Sequence, residues 1–598
     1  MQSDRSQKRD ESRVIIHFDY DAFYASVVEN ENPALKSVPL AIQQKQIVVT
    51  CNYEARRRGL RKLQLITEAK RVCPDAVIVL GEDLTRFRNA SKDLCNFLRE
   101  RIWSGRLERL GFDEVWLDCT DMIEFNYALL NRNGLEHSFF CTAKDDPTRG
   151  FDYDARAVFG PTYPADAASE GALNEEDRLL HSRLLLGSHL ARYLRHELES
   201  QQGYTATVGI ATNKTLSKLV GNVNKPRNQT TLMPPLADAH GNEGTVHQFM
   251  DMHDVGKVPG IGFKLAQKIW AYVLGREATH DEGLVYGGIR ENVTVRDVRL
   301  HEHIGPDKLE EILGGPGAQK GIGGRIWGLL NGYDDTEVSK VKRVPSQISQ
   351  EDSYMKYLHT FEQVCQQLFL LAERLIRRMH LDIMEDDEEI ASGGVPTRRW
   401  LAHPRTLRLT TRPRPPLNSD GTRVRSFNRI SHSGPMPNFV FSLTETPSVL
   451  ADRLVDTTLV PMFRKLHTER NGWNLSLINV AATNMAETAA NSKDSEGRDI
   501  GRMFRRQEDV LKDFKVVESQ DTAPLAGAET SEAQSDQAEP LSLSMQGAHV
   551  LNDGGDWLDE DQPEAEQVYY CGICGSSMPN FATDAHNRFH GITSERPS

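Results

Sequence analysis

The sequence predicts a multi-domain α/β protein, and three observations lead to that fold class. The chain has 598 residues, whereas a single hydrophobic core rarely grows beyond about 250–300 residues. Its hydrophobic content of 39% and its charged content of 26% are ordinary for globular domains. Short apolar runs of strand length alternate with segments of helical periodicity through the first part of the chain.

The elements of the first domain can be placed in order. We predict strands at 14–18, 40–43, 47–50, 77–80, 107–112, 115–118 and 205–210, and helices at 22–30, 68–72, 84–101, 176–199 and from residue 214 onward. Strands that return in alternation with helices indicate a split βαβ sheet, as in ferredoxin-like folds. Residues 131–174 interrupt this pattern with Gly, Pro, Asp and Ala and little periodicity, so we predict an inserted loop there.

The rest of the chain changes character three times. Residues 234–338 are helical in pattern and rich in glycine, and residues 345–490 indicate a further α/β unit. In that unit we predict a helix at 361–380 and strands at 405–411 and 439–443. After Glu487 the apolar content falls, which predicts a disordered, acidic linker before a small module at 569–592.

Charge is unevenly distributed along the chain. The net charge is −14, but residues 516–570 alone contain thirteen Asp and Glu and no Lys or Arg. A second acidic run, at 385–389, is expected in a loop. Residues 396–430 contain nine arginines and one acidic residue, Asp420. Because arginines with so few acidic neighbours would repel one another without a polyanion, this segment predicts a phosphate-binding face rather than a solvated strand face.

Composition also limits the compartment. No apolar stretch reaches the roughly 18 residues that suggest a membrane span, so we expect no membrane partner. The N-terminal segment is polar and lacks the apolar core of a secretory signal. Of the 8 cysteines only Cys571 and Cys574 form a pattern, which argues against a disulfide framework and for a reducing compartment.

Three carboxylates lie at the ends of predicted strands. Asp19 ends the first strand, and Asp113 and Glu114 lie on a tight connection between two others. A cluster of three carboxylates supplies enough negative charge to hold two divalent cations. Magnesium prefers carboxylate oxygens and leaves positions open for phosphate. An isolated Asp at such a position is usually an ordinary surface acid, so the surrounding residues decide the interpretation.

Those surrounding residues resemble the motifs of the Y family of translesion DNA polymerases. Residues 18–27 (FDYDAFYASV) resemble the family's opening motif, and residues 110–118 (LGFDEVWLD) resemble its second catalytic motif. Residues 49–56 (VTCNYEAR) are similar to its nucleotide-binding motif, and a further matching stretch contains Lys214, Lys218 and Lys225. The ordered motifs cover most of residues 13–490. The resemblance implies a metal-dependent, DNA-directed DNA polymerase.

By this resemblance Asp19, Asp113 and Glu114 are catalytic and hold two magnesium or manganese ions, with the Tyr20 carbonyl as a further ligand. The residues assigned to the nucleotide are Tyr24, Phe23, Gln44, Tyr53, Arg56, Lys62 and Lys214. Tyr24 is the expected gate against a 2′-hydroxyl, and Phe23 beside it is expected to pack in the same helix. Arginine suits phosphate because its planar fork bonds two oxygens at once.

The resemblance also implies a right-hand architecture. The palm would comprise 1–36 and 85–233 with the inserted loop 131–174, the fingers 37–84, the thumb 234–340 and the little finger 341–490, followed by the acidic linker 491–566 and a zinc finger at 567–594. In the thumb, Gly260 and Gly262 would form a helix-hairpin-helix that offers backbone N–H groups to DNA phosphate. In the α/β little finger, Arg405 and Arg408 would contact the DNA backbone.

Several stretches resemble the iota branch of the family, namely 50–56, 81–86 and 110–114. Residues 43–45 also resemble that branch, in which the fingers crowd the templating base and favour Hoogsteen pairing. Gln44 and Ile47 are the residues expected to do so here. The eta branch is the alternative, because the C-terminal module resembles the ubiquitin-binding finger of that branch.

That module has a pattern typical of zinc. Cys571, Cys574, His586 and His590 have the spacing of a closed tetrahedral site. So short a segment has almost no core, so the metal should drive its folding. Arg588 stands where an acidic ubiquitin contact is expected. Residues 500–504 faintly resemble a sliding-clamp peptide, with a marginal amphipathic turn as the alternative.

The expected partners are primer–template DNA, deoxynucleoside triphosphates, and ubiquitin or a ubiquitinated sliding clamp, for a monomer in the nucleus. Two other classes of function remain as hypotheses. One is a catalytically silent scaffold that binds DNA and ubiquitin, and the other is a metal-dependent nuclease. The combination of three carboxylates with triphosphate-binding residues and a sugar gate disfavours both.

Overall fold

The computed structural model describes residues 9–165, 173–236, 244–278, 291–315, 317–386, 398–414, 429–469 and 472–488, and the backbone of two short strands near the C-terminus. The described residues up to Arg343 belong to one compact unit, and those of 344–413 and 429–488 belong to a second. In the described ranges, no helix has the length and apolar character needed to cross a bilayer. The predicted linker 491–566, the clamp-like residues 500–504 and the four predicted zinc ligands lie outside the described residues.

The first unit is built on a six-stranded sheet with the order β5-β6-β1-β10-β11-β9, beside a three-stranded sheet with the order β3-β2-β4. Its strands are β1 (Ile15–Tyr20), β2 (Leu40–Gln44), β3 (Ile47–Cys51), β4 (Val77–Leu80), β5 (Leu107–Leu110), β6 (Glu114–Asp118), β7 (Ser138–Cys141), β8 (Gly150–Tyr153), β9 (Thr162–Tyr163), β10 (Ala206–Ala211) and β11 (Gln229–Leu232). Its helices are α1 (Phe23–Glu31), α2 (Tyr53–Arg57), α3 (Ile66–Val72), α4 (Thr85–Arg99), α5 (Thr120–Leu129), α6 (Glu175–Glu197), α7 (Lys214–Gly221), α8 (Thr245–Asp251), α9 (Phe263–Leu274), α10 (Val295–Arg299), α11 (Pro306–Leu313) and α12 (Ile322–Leu330).

The central strand β1 is covered on both faces, which explains its nearly continuous apolar sequence. It pairs antiparallel with β6 and β10. On one face α6 packs closely, since a methyl group on Gly187 would lie 3.2 Å from Ile210 Cγ2. On the other face a methyl group on Gly209 would lie 1.9 Å from the Ser217 carbonyl oxygen. Side chains alternate along a strand, so the face beneath α7 also carries every second residue of β1, including Asp19.

The insertion predicted as a loop over 131–174 contains regular structure, so that prediction is wrong. Strands β7 and β8 form an antiparallel hairpin, and β9 extends the main sheet beside β11. Phe151 stacks on Phe140 at 5.0 Å and on Tyr193 of α6 at 4.6 Å, between ring centroids. The strands have only two to four residues, too few to produce a visible period, and aromatic stacking onto α6 stabilises them.

The second unit is a four-stranded sheet with the order β12-β17-β15-β16. Its strands are β12 (Gln347–Leu358), β13 (Met384–Asp386), β14 (Arg398–Trp400), β15 (Ala402–Pro413), β16 (Ile430–Pro435) and β17 (Leu475–Glu487), and its helices are α13 (Phe361–Asp382), α14 (Pro447–Leu454) and α15 (Val460–Leu466). The core contains Leu371 and Leu375 of α13 together with Leu407 and Leu409 of β15. One face of this sheet is therefore buried beneath helices.

Two predictions for this unit are wrong. Residues 439–443 do not form a strand, because Asn438–Phe441 form a single 3-10 turn. Phe441 packs against Trp400 with the ring centroids 5.5 Å apart, and its carbonyl accepts from Trp400 Nε1 at 3.0 Å. A short apolar run does not distinguish a strand from such a turn. The acidic run predicted in a loop begins in strand β13, where Glu385 lies opposite Arg399 of β14.

Near the C-terminus, β18 (Val568–Tyr570) and β19 (Ser577–Pro579) pair antiparallel. The two strands flank Cys571 and Cys574 in the sequence.

Candidate active site

Two of the three predicted metal-binding carboxylates lie opposite each other on adjacent strands. Asp19 of β1 and Glu114 of β6 are direct partners in the antiparallel register, so their side chains lie on the same face of the sheet. Each carboxylate is paired with a lysine. Lys218 Nζ donates to Glu114 Oε2 at 2.8 Å, and Lys225 Nζ donates to Asp19 Oδ2. The sheet face beneath α7 therefore brings two anions and two cations together.

Burial dominates the electrostatics of this pair. It raises the pKa of Asp19, against the opposing effect of the nearby Lys225 ammonium. It raises the pKa of Glu114 to about 7, where the charge of Lys218 lowers the value and that of Asp19 raises it. Two desolvated carboxylates held close together favour an added cation, and their oxygens are the ligands that magnesium prefers. The donor set fits a divalent metal.

Helix α7 positions two of the three lysines in its motif. Lys214 and Lys218 lie one turn apart, and their ammonium groups lie 5.6 and 5.9 Å from the centre of the Trp116 ring. Lys214 Nζ, however, donates to Glu108 at 3.0 Å. The structure thus brings Lys218 and Lys225 to the Asp19–Glu114 pair and places Lys214, the predicted triphosphate ligand, with Glu108. In the sequence, the four-residue spacing between Lys214 and Lys218 indicates that both lysines lie on the same face of α7.

Asp113 lies in the turn before β6. Its carbonyl oxygen accepts from the backbone N–H of Tyr20 at 2.8 Å. A methyl group on Gly111, which has a φ of +66°, would lie 3.6 Å from Asp113 Oδ1. Within the described ranges, no three His, Cys, Asp or Glu side chains are grouped so that they could hold a metal. The assignment of Asp113 as the third ligand, and of the Tyr20 carbonyl beside it, stays a prediction.

Two polar residues near the pair are absent from the sequence-based assignment. His17 is buried beneath α7, with its Nε2 atom 3.6 Å from Glu114 Oε1 and its ring 5.2 Å from that of Trp116. Burial lowers the pKa of His17 well below its usual value, so the ring is neutral. Asp21 accepts from Thr207 Oγ1 at 2.9 Å and from the Arg227 N–H at 3.0 Å. Asp21 thereby anchors the loop that carries Lys225.

Two predicted triphosphate ligands, Tyr53 and Arg56, lie on α2. Burial raises the pKa of Tyr53 to about 12, and the negative charges of Asp21 and Asp19 add to this effect. The guanidinium of Arg56 lies 4.5 Å above the Tyr53 ring, and its Nε donates to the Cys51 carbonyl at 3.1 Å.

Other predicted nucleotide contacts occupy separate positions. Gln44 Nε2 donates to the Gly81 carbonyl at 2.8 Å, and Gln44 lies opposite Ile47 in the β2–β3 pair. Lys62 is exposed in the connection between α2 and α3. On α1, Tyr24 is half-buried, whereas Phe23 is buried with its ring 5.8 Å from that of Tyr20. Phe23 therefore packs in the core beside the predicted gate.

The predicted thumb hairpin begins α9. Gly260 has a φ of +87°, a conformation that favours glycine, and a methyl group there would lie 3.5 Å from Arg325 Nη2. Gly262 is exposed at the N-terminus of α9, and a methyl group on it would have no atom within 4 Å. The backbone at Gly262 is therefore open, as approach of a phosphate requires.

In the second unit, two arginines of the segment 396–430 have acidic partners, so the prediction that they lack such neighbours is wrong. Arg429 Nη1 donates to Glu351 at 2.8 Å, and Arg399 Nε donates to Glu385 at 2.8 Å. Glu385 meets Arg399 through the pairing of β13 with β14, and Glu351 of β12 lies 78 residues from Arg429 in the sequence. Of the two predicted DNA contacts on β15, Arg405 is exposed, and Arg408 Nη2 donates to Gln347 Oε1 at 3.1 Å. Arg408 is half-buried, between the buried Leu407 and Leu409.

Comparison with known proteins identifies relatives over the same regions. The impB/mucB/samB family model matches residues 18–222, and the model of its C-terminal domain matches residues 345–495. DNA polymerase iota of Homo sapiens is 32% identical over 474 residues, which are 79% of this chain and 52% of that protein. DNA polymerase iota of Drosophila melanogaster is 40% identical over 253 residues, 42% of this chain and 30% of the relative.

DNA polymerase eta of Drosophila melanogaster is 28% identical over 281 residues, which are 43% of this chain and 30% of that protein. The chain spans about half the length of the human iota relative. The two family models together match more than half of the chain, and they contain the paired carboxylates, the two lysines of α7, and the sheet of the second unit. The chain belongs to the impB/mucB/samB family, the family of the Y-family DNA polymerases.

Proposed function

We propose that this chain is an iota-like translesion DNA polymerase that adds deoxynucleotides to a primer by two-metal phosphoryl transfer. The observation that carries the proposal is the pairing of the buried Asp19 and Glu114 carboxylates on adjacent strands, each with a lysine ammonium. Similarity to the human and Drosophila iota polymerases supports the same activity. Neither a scaffold nor a nuclease needs a triphosphate site with a sugar gate.

We propose that one set of residues binds the metal ions and that another set binds the triphosphate. Asp19 and Glu114, with Asp113 and the Tyr20 carbonyl, would hold two magnesium or manganese ions, which activate the primer hydroxyl and neutralise the phosphates when bound. Lys225 and Lys218 would exchange their carboxylate partners for phosphate oxygens. Tyr53 and Arg56 would hold the triphosphate, with the Arg56 guanidinium lying above the Tyr53 ring.

The proposed DNA contacts come from both units. Gly262 would offer backbone N–H groups to a phosphate, with Gly260 forming the turn before it. Arg405 and Arg408 would contact the backbone without reading sequence. We further propose a nuclear monomer, with ubiquitin or a ubiquitinated clamp as an additional partner.

The iota-like assignment predicts that accuracy and efficiency depend on the template base. Single-nucleotide primer extension should be more efficient and more accurate opposite template A than opposite template T, by at least about tenfold in kcat/KM. The reason is the Gln44–Ile47 pair in the fingers, where the Gly81 carbonyl holds the Gln44 amide. Uniform accuracy on all four templates, with efficient bypass of a thymine dimer, would support the eta alternative instead.

A pair of neighbouring substitutions tests the structural reason. Gln44→Ala should reduce the difference between templates. Gln43→Ala is the matched control, because Gln43 is the adjacent residue of β2 and its Nε2 donates to the Lys45 carbonyl. If both substitutions reduce the difference between templates equally, Gln44 is not the specific cause of that difference.

We also propose that the C-terminal module is an independent zinc finger. Cys571→Ser should remove one zinc ion per chain, measured by metal analysis, and leave primer extension unchanged, because a closed four-ligand site leaves no position for substrate. Cys365→Ser on α13 is the control and should retain the zinc. Truncation after Glu566 should likewise preserve primer extension. Loss of extension would contradict the proposal that the module is independent of the polymerase site. Ubiquitin titration into the full chain tests whether Arg588 still permits that contact.

A further inference from the structure

The proposed sugar gate rests against a second aromatic ring. Tyr24 of α1 stacks on Phe87 in the first turn of α4, with ring centroids 4.3 Å apart and an interplanar angle of 22°. Phe112 approaches Tyr24 less closely, at 6.2 Å and 47°. Phe87 is 0% exposed, whereas Tyr24 is half-buried. One face of the Tyr24 ring is therefore covered by a fully buried side chain.

Phe87 has little room to move. A methyl group on Gly81 would lie 2.4 Å from Ile42 Cγ2 and 3.5 Å from Phe87 Cε2, so the Gly81 backbone fills the space between β2 and the Phe87 ring. Hydrogen bonds fix that backbone, because the Gly81 N–H donates to the Gln43 carbonyl at 2.8 Å and its carbonyl accepts from Gln44 Nε2 at 2.8 Å. In a close-packed interior, a ring supported in this way cannot yield without moving its neighbours.

We propose that Phe87 is a positioning residue for sugar selection, which holds the Tyr24 ring where the 2′-hydroxyl of an incoming ribonucleotide would collide. The inference rests on the proposed function, in which Tyr24 is the gate. A ring excludes a ribonucleotide only while it cannot retreat, and the volume into which Tyr24 would retreat is occupied by Phe87. Phe87 does not touch the nucleotide in this scheme. It acts through the offset stacking that aromatic pairs prefer.

Phe87→Leu tests this role because it removes the flat ring and keeps an apolar side chain. We expect the ratio of kcat/KM for deoxynucleotides to that for ribonucleotides to fall by about tenfold. Phe97→Leu is the matched control, since Phe97 is a buried ring of the same helix that packs under the Arg101 guanidinium at 3.5 Å instead. The control should lose comparable stability and leave the sugar ratio unchanged.

A double variant distinguishes a specific effect of Phe87 on the Tyr24 ring from a general loss of core packing. In a Tyr24→Ala background, Phe87→Leu should cause no further change in the sugar ratio, because no gate remains to be positioned. Phe87→Tyr keeps the ring and should preserve the wild-type ratio. Phe87→Met supplies a second truncation if the leucine variant fails to fold, as judged by circular dichroism.

The outcomes distinguish this proposal from the one on which it rests. If Tyr24→Ala lowers the sugar ratio and neither Phe87→Leu nor Phe87→Met does, the positioning role is overturned and the gate stands. If Tyr24→Ala leaves the ratio unchanged, the gate assignment itself fails. An equal fall in Phe87→Leu and Phe97→Leu would attribute the effect to a loosened core and overturn the positioning role.

Discussion

Replacing Glu114 with glutamine is expected to slow nucleotide addition by at least about a thousandfold, which corresponds to ~4 kcal/mol of transition-state stabilisation. Glutamine keeps the shape of the side chain and removes the charge that would hold a divalent cation between β6 and β1. The Lys218 ammonium, which lies 2.8 Å from Glu114 Oε2, would lose its counter-charge at the same time. Asp19→Asn should have the same effect, because Asp19 is the partner of Glu114 in the strand register.

Binding of primer–template DNA should survive both changes, because the proposed DNA contacts lie on other elements. Fluorescence anisotropy on labelled DNA measures this directly, alongside single-turnover extension. Glu108→Gln is the matched control, since Glu108 lies on the neighbouring strand and pairs with Lys214. We expect Glu108→Gln to extend the primer much faster than Glu114→Gln. Equal extension rates for the two variants would contradict the assignment of Glu114 as a metal ligand.

Gly209→Ala is expected to destabilise the first unit by at least about 2 kcal/mol and to abolish nucleotide addition. The added methyl group would lie 1.9 Å from the Ser217 carbonyl oxygen and 2.5 Å from the Gly221 nitrogen, both of them backbone atoms of α7. Neither atom can swing aside as a side chain does, so the helix must move away from the sheet. That movement would withdraw Lys218 from Glu114.

Thermal unfolding and primer extension measure the two parts of this prediction. Gly305→Ala is the control, because a methyl group there would have no atom within 4 Å. A Gly209→Ala variant with wild-type stability and activity would show that close packing of α7 on β10 is not required for the site.

The sequence was sufficient to predict the central strand and the position of Asp19 near its end, because a strand covered on both faces is nearly continuously apolar. It was not sufficient to predict which of Lys214, Lys218 and Lys225 lie beside the Asp19–Glu114 pair. That distinction depends on how closely α7 approaches the sheet, which in turn depends on the contact between Gly209 and Gly221. Neither glycine carries a side chain that periodicity could reveal.

The errors elsewhere have a common physical cause, since each involves partners distant in sequence. The inserted segment forms strands in which Phe151 stacks on Tyr193 of α6, a residue that lies well beyond the segment in the sequence. The arginine-rich segment finds acidic neighbours because β12 brings Glu351 to Arg429. Local composition predicts neither contact, whereas hydrophobic periodicity predicted six individual helices, each to within two residues of its observed start.

The most direct test of the two-metal assignment is single-nucleotide addition by Asp113→Ala and by the wild-type chain, measured over a magnesium titration on undamaged primer–template. The wild-type chain should extend the primer in a magnesium-dependent manner. Asp113→Ala should bind the same DNA with unchanged affinity and add no nucleotide at any magnesium concentration. Extension by Asp113→Ala at the wild-type rate would contradict the assignment of Asp113, Asp19 and Glu114 to one metal-dependent polymerase site.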